Sequence, residues 1–227
     1  MVIMVADFAE LRRKMVDNQI RTVDVTDLSV LKAFLTVPRE DFVPEDMRAL
    51  SYLDTDIVTC TAQNGVPARY LMEPAPLAKL LQLAAIKSSD IVLDIGANSG
   101  YCAALLSKLS ESVIALESDE VLLERAVEAL ERNQCDNVVV VHGSLEQGYA
   151  VEGPYDVIFI EGSVDFVPKD IFEQMKDDGR LVVVEGHGNA GVARIYVKED
   201  GIVSARCAFN LAVKCLPGFL RTPDFIF

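Results

Sequence analysis

The stretch Ile91 to Leu106, IVLDIGANSGYCAALL, decides the architecture of this chain. A short apolar strand runs through Asp94 to Ile95, a turn carries Gly96 and Gly100, and a helix opens directly after it. That order sets backbone N–H groups and a helix N-terminus at the carboxyl end of a parallel sheet, where open α/β folds hold ligands. Downstream, apolar runs at Val113 to Leu116, Val138 to Val141, Val157 to Ile160 and Leu181 to Val184 alternate with helical stretches at Gly100 to Ser110, Asp119 to Asn133 and Pro168 to Lys176. Near-continuous apolar strands belong to a parallel sheet covered on both faces. The helix from Asp119 carries Val121, Leu122, Ala126, Ala129 and Leu130 at helical spacing with charges elsewhere, which reads as core and solvated face. Val192 to Lys198 and Ile202 to Leu216, joined by Glu199-Asp200-Gly201, read as a closing antiparallel hairpin.

The expected fold class is α/β and Rossmann-like, with a mostly parallel seven-stranded sheet, a C-terminal antiparallel hairpin and an N-terminal helical cap. The cap is read at residues 1–87. Helical patterns at Phe8 to Ile20 and Asp27 to Leu35, then Pro38, Pro44 and the irregular Thr55 to Pro67, precede a helix near Pro74 to Ala85. It should lie over the carboxyl edge of an α/β core at residues 88–227 and supply substrate contacts. With 227 residues, 51% of them hydrophobic, and roughly 150 residues per domain, cap and core are expected to form one compact unit.

The turn narrows the ligand. A dinucleotide fingerprint needs G-x-G-x-x-G, whereas the pattern here is D-x-G-x-x-x-G, closer to the S-adenosylmethionine (SAM) loop of methyltransferases. SAM carries a cationic sulfonium and amino group, a carboxylate and a ribose but no phosphate, so an acid beside the turn suits it. Asp94 is placed at the methionyl end, Gly96 allows close backbone approach, and Gly100 lets the next helix pack tightly. Ala97, Asn98 and Ser99 complete the turn. Asn98 stands where the fuller D/E-x-G-x-G-x-G pattern has glycine, and Asn tolerates positive φ better than other side chains. A purely structural turn is the alternative. Glu117 ends the second strand seventeen residues after Gly100, where a carboxylate can accept both ribose hydroxyls, with Ser118 beside it. The competing reading is a Glu that caps the helix from Asp119.

Composition excludes several classes. A net charge of −14 with no Lys/Arg cluster argues against nucleic acid or an anionic membrane as partner. Cys60, Cys102, Cys135, Cys207 and Cys215 form no C-x-x-C pair and lie mostly in apolar runs, fitting a reducing compartment. His142 and His187 are 45 residues apart without a ligand pattern, so no metal site is expected. MVIMV at the start is too short for a signal h-region, and no apolar run reaches about 18 residues. The expectation is a soluble, cytoplasmic protein.

The segment Arg12 to Pro44, RRKMVDNQIRTVDVTDLSVLKAFLTVPREDFVP, resembles the N-terminal signature of the protein-L-isoaspartate O-methyltransferase family, with its MV-x-x-Q-I-R and VPRE-x-FVP. The similarity continues through the glycine turn, NVVVVHGSLEQG at Asn137 to Gly148, PYDVIFIEGS at Pro154 to Ser163 and QMKDDGRLVVVEG at Gln174 to Gly186. This resemblance implies a SAM-dependent methyltransferase fold, SAM as cofactor, and carboxyl methylation of damaged aspartyl residues in protein or peptide substrates. It adds Ser144, Leu145 and Glu161 to the cofactor set, with Leu145 against the purine.

Two departures bear on the inheritance. The family carries G-Q-T-x-S-Q-P before the SAM strand, its Ser important for catalysis. Here the ungapped register reads Ala68-Arg69-Tyr70-Leu71-Met72-Glu73-Pro74, and a thioether cannot replace a hydroxyl as hydrogen-bond partner. A shifted register would bring in Thr59 or Thr61 instead, so no catalytic residue is assigned. The family's G-D-G after the third strand is Gly143-Ser144-Leu145 here. Arg69 could pair with a substrate carboxylate or lie on the surface. Besides the isoaspartyl reading, a methyltransferase with another acceptor and a non-catalytic SAM-binding or interaction protein remain open. The apolar end LPGFLRTPDFIF, Leu216 to Phe227, packs on the sheet or cap, or forms a homodimer contact.

Overall fold

A computed structural model describes residues 7–62 and 67–220 of the chain. The N-terminal part begins with α1 (Phe8–Met15), capped by Asp7 accepting from the Glu10 backbone N–H, and continues into a π-helical turn, Val16–Ile20. A second helix, α2 (Leu28–Thr36), is capped by Asp27, whose carboxylate accepts from the N–H groups of Ser29 and Val30, satisfying donors that a helix start leaves open. Two short antiparallel strands, β1 (Ile57–Cys60) and β2 (Arg69–Leu71), form a separate small sheet. Next comes α3 (Pro74–Ala84), which begins on Pro74, tolerated there because a first-turn N–H has no intrahelical partner.

The main sheet is built from β3 (Ile91–Ile95), β4 (Ser112–Glu117), β5 (Val138–His142), β6 (Tyr155–Val164), β7 (Met175–Glu185), β8 (Val192–Glu199) and β9 (Ile202–Asn210). Its order is β5-β4-β3-β6-β7-β8-β9, parallel from β5 to β7 and antiparallel at β8 and β9. Helices α4 (Tyr101–Ser107), α5 (Glu120–Arg132) and α6 (Lys169–Glu173) make three of the crossovers, and short 3-10 turns at Leu145–Gln147 and Ala150–Glu152 make the one from β5 to β6. The order reverses at β3, so the carboxyl ends of β3, β4 and β6 form the topological switch point where such sheets hold ligands.

Alternation along the strands divides the core into two layers. Val92, Val113, Ala115, Val157, Phe159 and Val182 face a cluster that includes Met15, Ile20, Phe34, Leu77 and Leu105, so cap and sheet share one apolar interior. Leu93, Ile95, Leu116, Ile158 and Ile160 face the opposite side with Ile171, Leu145, Leu216 and Phe219.

Some element ends differ from the sequence reading. The last strand stops at Asn210, and residues 211–219 leave the hairpin and return across the carboxyl ends of β3 and β6, tied there by the bridge between Ser163 and Cys215. Helix α6 ends at Glu173 rather than Lys176 because Met175 already pairs with Tyr155. The apolar terminus packs on the sheet as far as Phe219, which is fully buried; MVIMV and residues 221–227 lie outside the described residues.

Candidate functional site

The glycine turn sits at the carboxyl end of β3, with Gly96 at φ 88°, Asn98 at φ 55° and Gly100 at φ 90°. Asn98 thus adopts the left-handed conformation its residue type allows. Its side chain stabilises the turn: Nδ2 donates to the Tyr70 carbonyl at 3.0 Å, and Oδ1 accepts from the Ser99 N–H at 2.8 Å. The Ser99 hydroxyl donates to the Phe42 carbonyl at 2.5 Å, tying turn to cap. A Cβ on Gly100 would lie 3.2 Å from Leu130 and 3.3 Å from the Ala126 backbone, so this glycine serves close packing against α5 rather than against the strand.

Glu117, fully buried, is the electrostatic centre. It does not cap the next helix; Asp119 does, accepting from the Leu122 N–H at 3.0 Å. The Glu117 carboxylate instead takes both arms of the Arg69 guanidinium, at 2.6 and 2.8 Å, and the N–H groups of Asn98, Ser118 and Asp119 at 2.7, 2.8 and 3.0 Å. With the Ser118 hydroxyl at 3.4 Å, six donors in a buried site use its lone pairs fully. Arg69 is therefore neither a surface residue nor free for a substrate carboxylate; it is 5% exposed and also reaches the Gly96 carbonyl at 3.3 Å.

Among the described residues, Asp94 is buried with neither carboxylate oxygen in a standard hydrogen bond, and Glu161 Oε1 is in the same position. One ligand atom from each of Asp94, Glu161 and Cys102 lies within 4.8 Å of the other two. Burial, together with the Glu117 charge, pushes the Asp94 carboxyl up to about 8. Burial and the neighbouring Asp94 hold Glu161 well above the carboxylate range, and the same burial raises the Cys102 thiol. Two buried carboxyls this close are not both ionised at neutral pH.

The remaining candidates are dispersed. Ser144 and Ser118 are exposed, and Ala97 is buried in the core that joins cap and sheet. Leu145 is buried against the cluster that holds Leu216 and Phe219. Met72 is buried, its carbonyl accepting from Arg39 at 2.8 Å. Thr59 lies on β1 with its buried hydroxyl unpartnered among the described residues, beside a groove of about 540 Å³ also lined by Val58, Thr61, Asp119 and Arg125.

Sequence reasoning passed over Arg39. Fully buried, it donates to the carbonyls of Ser51 and Met72 at 2.8 Å each and lies 4.8 Å from the centre of the Tyr101 ring. The neighbouring Glu40 takes Arg12 and the Tyr52 hydroxyl. The VPRE segment is thus a structural clamp between cap and core, a role its composition alone did not announce.

The residues fit SAM in kind but not, as folded, in space. An acid at the turn, an acid ending the next strand and a glycine between them suit its charges and ribose. Leu216, however, packs where a Gly96 Cβ would stand, 2.7 Å away, and the recess beside Glu161 and Gly162 holds only about 10 Å³.

The family model for protein-L-isoaspartate (D-aspartate) O-methyltransferase matches residues 10–213. A protein-L-isoaspartate O-methyltransferase of Opitutus terrae is 35% identical over 191 residues, 84% of this chain and 79% of that protein. One from Roseiflexus is 33% identical over 82% of each. A solved protein-L-isoaspartate O-methyltransferase superposes with a TM-score of 0.79 at 27% identity, covering 92% of this chain and 67% of that one. A Plasmodium falciparum structure described as a putative member, in complex with S-adenosyl-L-homocysteine, shares the fold at a TM-score of 0.73 and 19% identity. With the clamp, the glycine turn and the strand-end acids in place across this span, the chain belongs to the protein-L-isoaspartate O-methyltransferase family.

Proposed function

We propose that this chain is a SAM-dependent O-methyltransferase that esterifies carboxyl groups of isoaspartyl residues in proteins or peptides. One observation carries the reading: Asp94, Gly96 and Glu117 stand at the carboxyl ends of adjacent strands in a chain that matches the family over residues 10–213. When bound, SAM supplies a methyl group on a sulfonium, and an acceptor carboxylate is already ionised at neutral pH. The protein's task is then orientation and exclusion of water, without a strong base. This accommodates Met72 in place of the family Ser.

In this reading Glu117 exchanges Arg69 for the ribose hydroxyls, and Asp94 lies at the methionyl side. The groove beside Thr59 and Arg125 faces the acceptor. Five free cysteines and no helix, among the described residues, long and apolar enough to cross a membrane support a cytoplasmic setting. A second reading, a non-catalytic protein on this fold, is favoured by the saturated state of Glu117. The two separate on incubation with SAM labelled at the methyl group, an isoaspartyl peptide and its aspartyl counterpart. Base-labile label on the isoaspartyl peptide alone supports the enzyme; label on neither, with the protein folded, supports the second reading.

A further inference from the structure

We propose that residues 211–219 form a strap that closes the cofactor cleft and competes with SAM for it; this rests on the methyltransferase reading above. The strap is part of the fold. Ser163 N–H donates to the Lys214 carbonyl and Leu216 N–H to the Ser163 carbonyl, both at 2.9 Å, while Asp165 N–H donates to Phe219 at 3.2 Å. It thereby extends the carboxyl end of β6 by a parallel bridge.

Two glycines are shaped to it. A Cβ on Gly96 would stand 2.7 Å from Leu216 Cδ1, and one on Gly162 would stand 3.0 Å from the Lys214 carbonyl and 3.1 Å from Leu216 Cβ. Leu216 and Phe219, 3% and 0% exposed, pack with Leu145 at the switch point of the sheet. The recess left beside Glu161 is about 10 Å³, against the roughly 300 Å³ or more of a small-molecule site.

Arg69 adds to the closure at Glu117. It enters from β2 and fills both oxygens of Glu117, the acid that the proposed function assigns to the ribose. The closure has a natural line of release. Residues 212, 214, 215 and 218 are exposed, and Gly218 is at φ 88°, so lifting the strap breaks a few hydrogen bonds, the Lys214–Asp56 pair and the packing of Val213, Leu216 and Phe219 but no strand of the sheet. SAM entry and strap release are then one equilibrium, and the apparent affinity of the wild type is reduced by the closed fraction.

The test titrates SAM calorimetrically into the wild type, Leu216→Asp, and Ser163→Cys. In Ser163→Cys the new thiol faces Cys215, because Ser163 Oγ already lies 3.4 Å from Cys215 Sγ, and oxidation should lock the strap. The strap predicts at least tenfold tighter binding by Leu216→Asp, and loss of binding by oxidised Ser163→Cys that reductant restores. Equal binding by the wild type, Leu216→Asp and the oxidised protein overturns the strap and leaves the methyltransferase reading standing. Absence of binding by the wild type and by every reduced variant that folds, even at millimolar SAM, overturns both. If Leu216→Asp fails to fold, the redox pair alone decides, since it leaves Leu216 in place.

Discussion

Replacing Arg69 by Met should be among the most destabilising single changes in the chain. The side chain is 5% exposed and gives Glu117 two of the six hydrogen bonds it accepts. Removing one partner of a buried ion pair costs ~3–5 kcal/mol, because the other charge is left uncompensated. Three backbone N–H groups and the Ser118 hydroxyl remain on the carboxylate, which places Arg69→Met near the lower figure, ~3 kcal/mol. Glu117→Gln should cost more, ~5 kcal/mol, since it leaves the buried guanidinium without a countercharge and turns one of its two acceptor oxygens into an NH2 that faces donors. The double variant Arg69→Met/Glu117→Gln removes both charges and should fall short of the sum by ~1–3 kcal/mol. Urea unfolding, with midpoint and slope fitted for all four proteins, measures the cycle. An Arg69→Met protein within ~1 kcal/mol of the wild type, or strict additivity in the cycle, would refute the reasoning, because either result means the pair is not buried and coupled as described.

Three further outcomes follow from the same geometry. Asp94 is held protonated by burial up to about pH 8, whereas an unfolded Asp ionises near pH 4. The folded state therefore binds the extra proton, and stability should decline as pH rises from about 4 to about 8; Asp94→Asn should weaken this decline, the buried Glu161 supplying what remains, and parallel melting curves for the two proteins would oppose the assignment. Gly96→Ala combines an unfavourable φ with a contact to Leu216 and should cost ~1–3 kcal/mol. Adding Leu216→Ala to it should cost less than the sum in the same urea assay. Arg39→Lys cannot reach the Ser51 and Met72 carbonyls together, and loss of such charged hydrogen bonds should cost ~2–3 kcal/mol in unfolding experiments.

The architecture was legible because its signals are local. Ile91–Ile95 reads as a strand from five residues and the turn that follows them, and the strand has those bounds. Two-sided apolar runs identified the parallel sheet, and Asn98 at positive φ followed from its place in the glycine turn. Charge and composition carried no such resolution for the site. Arg69 and Glu117 are 48 positions apart, and nothing in either neighbourhood says that they meet.

The end of the last strand illustrates the same limit. Ile202 to Leu216 has one continuous extended character, so period and propensity give no reason to stop at Asn210. The return of the chain is decided by long-range contacts, Leu216 against Gly96 and Ser163 against Lys214. Leu145, read as a partner for a purine, packs with Leu216 and Phe219 for the same reason: apolar residues at a sheet's carboxyl edge suit a ligand or the chain itself, and sequence does not choose between them. Arg39 was hidden because charged residues are read as exposed, while the carbonyls of Ser51 and Met72 that satisfy it lie 12 and 33 residues away.

Backbone hydrogen exchange at Ser163, Asp165 and Leu216, followed as SAM is raised to millimolar concentration, probes strap and cofactor together. All three N–H groups are held by contacts between the strap and β6 or its end. If SAM occupies the cleft that the strap closes, their exchange should accelerate with SAM and saturate along the binding curve. Exchange that is unchanged or slowed would contradict the account, since the strap would then stay in place whether or not the cofactor binds.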